Sequence, residues 1–205
     1  MIKAQDALDR LREGNTRYVA GLQDEAVQAH HVRRQLTVDS QLPFAIILGC
    51  SDSRVPAEIV FDQGLGDLFV IRIAGNIVAP SQIGSVEFAA SQFGTRLVVV
   101  LGHTQCGAVL ATLEHLRNPG ASDQTPGSLS IVERIGPAIR DVVGVKSNTG
   151  DASIVEAAVR ANIKASVRQL LHGSALLEGL VADGNLRIVG AEYSLETGVV
   201  TFLEE

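Results

Sequence analysis

Tryptophan is absent from this 205-residue chain, methionine occurs once, and cysteine and tyrosine twice each, so aromatic residues make up only 4% of it. Hydrophobic residues still reach 46%, and a core this poor in rings must be packed with Val, Ile, Leu and Ala. Two cysteines exclude a disulfide-dense secreted scaffold. Positive charge is also short: 17 Lys and Arg face 23 Asp and Glu, for a net charge of −6, which argues against a general nucleic-acid binder. No apolar run approaches the roughly 20 residues that span a bilayer. The first residues, MIKAQDALDRLREGNTRYVAG, are charged and amphipathic and do not read as a signal peptide, so a cytoplasmic protein is expected. There is no internal repeat and no low-complexity linker. The length predicts a single domain over 1–205.

What is present concentrates in two places. Phe44, Ala45, Ile46, Ile47 and Leu48 form an unbroken apolar run, as in a parallel strand covered on both faces; Gly49 ends it, and Cys50, Ser51, Asp52, Ser53 and Arg54 follow. Leu97 to Leu101 repeat the layout, and Gly102, His103, Thr104, Gln105 and Cys106 come next. Both reactive groups therefore lie at the carboxyl ends of predicted strands, where open α/β sheets build their sites.

Cys50, Asp52, His103 and Cys106 supply the soft and borderline donors of a tetrahedral zinc site. The plainer alternatives are two core cysteines with a capping histidine, a disulfide, or a redox dithiol; the last usually places its thiols two residues apart in one loop. Cys106 precedes a predicted helix whose amino end favours a thiolate. If all four residues bind, the metal is structural. If Asp52 pairs with Arg54 instead, a position is left for water, whose pKa the metal can lower from about 15.7 toward roughly 7. Arg54 would then keep Asp52 ionised.

CSDSR and GHTQCGAV, with FVIRIAGNIV between them, resemble the β-class carbonic anhydrases, and the similarity extends over most of the chain. The resemblance implies one zinc ion per chain on Cys50, His103 and Cys106, with Asp52 as exchangeable fourth ligand and Asp52 and Arg54 as the catalytic dyad. It implies reversible hydration of carbon dioxide to bicarbonate and a proton by metal-bound hydroxide, with a closed state at lower pH and an open one at higher pH. The family's substrate pocket resembles Gln41, Phe69 and Gly107 here, with Phe88 where many members carry a partner's tyrosine. Val55 and Ala74 are further apolar candidates for its wall. A bicarbonate-inhibited subtype has tryptophan where this chain has Ile47, which argues against that allosteric site, although Arg72 and Tyr193 resemble its other members. The alternative functions are a zinc hydrolase of carbonyl sulfide or carbon disulfide, and a non-catalytic zinc protein.

Alternation of strands and helices predicts an α/β fold: a mostly parallel sheet of four strands plus an antiparallel edge strand, with helices on both faces. Helices are expected over Ala4 to Val19 and Asp24 to Leu36, and in the family such an arm, here 1–36, packs on a partner subunit in a homodimer or dimer-based homotetramer. His30 and His31 are expected on a solvated face. Further helices are expected at Ala57 to Asp62, Ser81 to Phe93, Gly107 to Arg117, Ile131 to Val145 (broken) and Asp151 to His172. The remaining strands are expected at Leu68 to Ile73, Leu186 to Gly190 and Val199 to Leu203. Asn118 to Gly150 reads as the least structured stretch.

Overall fold

A computed structural model of the chain describes residues 2–118, 125–145 and 152–203. Five strands, β1 (Ala45–Gly49), β2 (Leu68–Arg72), β3 (Leu97–His103), β4 (Arg187–Tyr193) and β5 (Val200–Phe202), form one sheet in the order β2-β1-β3-β4-β5. The first four run parallel, and β5 pairs antiparallel with β4. This is the sheet expected from the sequence. The aliphatic runs of β1 and β3 are buried along their whole length, because both faces of the sheet are covered.

Side-chain alternation divides the core into two layers. Ile46, Leu48, Val98, Val100 and Ile188 pack on one side with α5 (Pro80–Gln92), α6 (Gly107–Arg117), α7 (Pro126–Val145), α8 (Ala152–His172) and α9 (Ala175–Ala182). Ala45, Ile47, Leu97, Val99 and Leu101 pack on the other with α1 (Ala4–Ala20) and α4 (Ala57–Val60). Cys50 and Cys106 belong to the first layer.

α1 lays Ala7, Leu8 and Leu11 against its own sheet with at most 1% exposure, so these three side chains are covered within the chain. Asn15 ties the helix down: its amide donates to the carbonyls of Val60 and Gly198 and accepts from the Val200 amide. Arg17 adds an ion pair of 2.6 Å with the buried Asp62. The expected second helix divides into α2 (Glu25–Gln28) and α3 (His30–Leu36), with His30 and His31 exposed. Leu36, Val38 and Leu42, on and after α3, are 75%, 74% and 81% exposed.

Two helices differ from the sequence reading. α7 begins at Pro126 and runs unbroken through Pro137, because its tertiary contacts outweigh the one backbone bond that proline removes. α9 was not anticipated; Ser174 caps it by accepting from the Leu177 amide. Part of the stretch expected to be least structured, 119–124 and 146–150, lies outside the described residues.

Candidate metal centre

The apolar runs of β1 and β3 are adjacent and in register, Gly49 against Leu101, so the residues that follow them emerge side by side. Cys50 follows β1, His103 closes β3 and Cys106 precedes the first turn of α6. Their ligand atoms all lie within 4.8 Å of one another, and all three residues are buried.

Each donor is oriented by its surroundings. The Nδ1 of His103 lies 2.8 Å from the Thr104 carbonyl, which selects the tautomer protonated there and leaves Nε2 facing the sulfurs. Nε2 is buried and has no hydrogen-bond partner. The Gly75 amide donates to Cys50 Sγ at 3.3 Å, and the Ala108 and Val109 amides favour a Cys106 thiolate without closing a capping bond.

The charges share one logic. The hydrogen bond from Cys106 pulls the Cys50 thiol well below its ordinary value against the opposing effect of burial, with His103 helping. The same contact, together with burial, pushes Cys106 up, since a second thiolate beside the first is disfavoured. Burial works against a charged His103, but the contacts with Cys50 and Thr104 outweigh it and leave the imidazole's pKa raised. A cavity of two sulfurs and an orphaned imidazole nitrogen fits a thiophilic dication such as zinc, whose charge would replace the protons these groups hold.

Asp52 stands at the edge of this cluster. Its carboxylate takes three hydrogen bonds from Arg54, at 3.0 Å from the backbone amide, 2.9 Å from Nε and 2.7 Å from Nη2, and Oδ2 is 3.9 Å from His103 Nε2. The Arg54 hydrogen bonds hold the Asp52 carboxyl far below the usual carboxylate range. Arg72 donates to the carbonyls of Cys50 and Asp52 and so fixes the connecting loop.

The other candidates are dispersed. Phe69 and Phe88 are neighbours with ring centroids 6.3 Å apart, and Phe88 is 52% exposed. Gln41 lies in a surface hollow with Val38 and Phe93, whereas Ala74 lines a separate apolar hollow of about 340 Å³ with Ala108, Ala111 and Ile131. Gly107 is exposed at the start of α6. Val55 is buried in the layer that holds α1, the opposite layer from Cys50. Ile47 is fully buried and Tyr193 contacts the Tyr18 hydroxyl at 3.2 Å, so with Arg72 held by carbonyls all three side chains are already engaged. His115, in the last turn of α6, is half-buried. Sequence reasoning missed Asn162 and Ser166 of α8, which bond to the turn beside Cys50.

Fold and cluster together define a class: an α/β protein with a metal-binding Cys-His-Cys set at the carboxyl ends of adjacent parallel strands. The carbonic anhydrase family model matches residues 45–200. A carbonic anhydrase of Mycolicibacterium smegmatis is 41% identical over 193 residues, covering 93% of this chain and 88% of the relative. One of Mycobacterium tuberculosis, carbonic anhydrase 2, is 40% identical over 190 residues, covering 92% and 87%. A solved β-carbonic anhydrase structure superposes with a TM-score of 0.74 at 25% identity, covering 96% of this chain and 95% of that one. The chain belongs to the β-class carbonic anhydrase family, enzymes that hydrate carbon dioxide reversibly.

Proposed function

We propose that this chain hydrates carbon dioxide to bicarbonate and a proton at one zinc ion held by Cys50, His103 and Cys106, with Asp52 and Arg54 controlling access to the metal's fourth position. When bound, zinc supplies Lewis acidity that makes water a competent nucleophile near neutral pH. The observation that carries the reading is the buried, unpartnered Nε2 of His103 facing two thiols, while the nearest carboxylate is taken up by Arg54.

In this reading the Arg54 hydrogen bonds hold Asp52 ionised and away from the metal, where its carboxylate can accept a hydrogen bond from an incoming water and orient it. The uncharged substrate needs an apolar wall and a single polar contact. Phe69, Ala74, Phe88 and Val55 are the candidates for the wall, and Gln41 and Gly107 are the candidates for the contact with bicarbonate. The exposure of Phe88 supports a pocket completed by a second copy, in a homodimer or dimer-based homotetramer. Among the described residues no helix is long and apolar enough to cross a membrane, and we infer a cytoplasmic location.

Stopped-flow hydration measured together with zinc content tests the dyad. Arg54→Ala should keep its zinc and lose hydration by about a hundredfold or more, because Asp52 is released toward the metal. A fully active Arg54→Ala enzyme would remove the gating role. Sulfide release from carbonyl sulfide faster than hydration would favour the hydrolase instead.

A further inference from the structure

Cys50 receives a backbone hydrogen bond at its sulfur from Gly75, and the tight turn that delivers it, Ala74–Asn76, is an unusual piece of chain. Gly75 and Asn76 both have positive φ, 66° and 44°, and Asn76 is not a glycine. Two successive left-handed residues are unfavourable unless the surroundings hold them there. A side chain at Gly75 would stand 2.7 Å from Ile135 Cδ1 and 3.1 Å from Ala108 Cβ, so α6 and α7 close over the turn from above.

From below it is held by α8. The buried stripe of that helix runs Ile154, Ala158, Asn162, Ser166, Leu170, a ladder of fourth residues in which the third and fourth members are polar and 2% exposed. Burying an amide and a hydroxyl in mid-stripe costs stability unless both find partners. They find the turn: Asn162 Nδ2 donates to the Gly75 carbonyl at 2.8 Å and Ser166 Oγ to the Asn76 carbonyl at 2.9 Å. These carbonyls belong to the two left-handed residues.

We propose that Asn162 and Ser166 are positioning residues for the metal centre, holding the Ala74–Asn76 turn so that the Gly75 amide is aimed at the Cys50 sulfur. Neither touches a ligand; each acts through the turn. A hydrogen bond to a metal-bound thiolate draws electron density from sulfur and fixes its direction, so loosening the turn changes both the strength and the character of the metal–sulfur bond. The proposal rests on Cys50 being a metal ligand.

The test uses the full chain stripped of metal and titrated with cobalt, whose thiolate charge-transfer and ligand-field absorption report the sulfur environment directly. Zinc affinity is measured alongside by competition with a chelator. In Ser166→Ala and in Asn162→Ala the cobalt bands should shift and zinc affinity should fall about tenfold. Ser166→Thr, which keeps the hydroxyl, should restore both. Leu177→Ala in α9, a core truncation remote from the turn, should lower the thermal midpoint and leave the bands in place. Unmoved bands and wild-type zinc affinity in both α8 variants would overturn the proposal, as would an equal shift in Leu177→Ala, which would reduce the effect to general loosening. A wild-type chain whose cobalt shows no thiolate bands would instead overturn the metal reading itself.

Discussion

Tyr193 sits opposite His103 in the β3–β4 register, yet its hydroxyl turns away to meet Tyr18. Burial, and then the Tyr18 hydroxyl, push its pKa up to about 12. An unfolded tyrosine titrates near 10, so below about pH 10 both states hold the proton and the stabilisation is fully present. It is lost as pH rises through the folded value, because the unfolded chain gives up the proton first. Thermal midpoints of Tyr193→Phe should therefore fall less steeply than those of the parent above pH ~10; parallel slopes would mean the phenol is not protected. At this scale the candidate metal ligands were legible because the chain has only two thiols and both reactive groups follow a glycine that ends an apolar run. Asn162 and Ser166 were not, since their partners lie 87 and 90 positions away in the chain. Their only local sign is two polar residues at fourth-residue spacing inside an apolar stripe.

α1 shows how an element's partner is decided by contact and not by pattern. Its stripe was legible, but a stripe says only that something must be covered. Gly14 marks where the covering occurs: a Cβ there would lie only 1.8 Å from the Phe61 carbonyl oxygen, a backbone atom that cannot swing aside. Alanine favours an isolated helix over glycine by about 1 kcal/mol. Gly14→Ala should nevertheless destabilise this protein by about 2 kcal/mol or more, since the helix must lift off α4. A raised denaturation midpoint would show α1 seated elsewhere. α7 makes the complementary point. Pro137 reads as a break in sequence, but α6 and α8 pack against the segment and the helix continues through it, and propensity is a weak prior against such packing.

For the molecule as a whole, one group of exposed and half-buried apolar side chains adjoins the β2 edge of the sheet. Val38 and Phe93 border the same hollow, Phe93 meets Phe88 edge to face at 5.7 Å, and Phe69 of the edge strand β2 completes the group. An open edge strand beside exposed rings is a surface for association. Sedimentation should find a dimer or tetramer, and a Val38→Lys, Phe88→Lys double variant should shift it toward monomer and lower hydration; an unshifted distribution would place the interface on another face. The sequence by itself determined the α/β class, the parallel strands and the Cys-His-Cys donors, because each depends on residue type and spacing within a few positions. Only the tertiary structure decided that α1 covers its own sheet, that Asp52 is engaged by Arg54, and that α8 braces the turn behind Cys50. Those are contacts between side chains with several possible partners, and three-dimensional packing alone selects one.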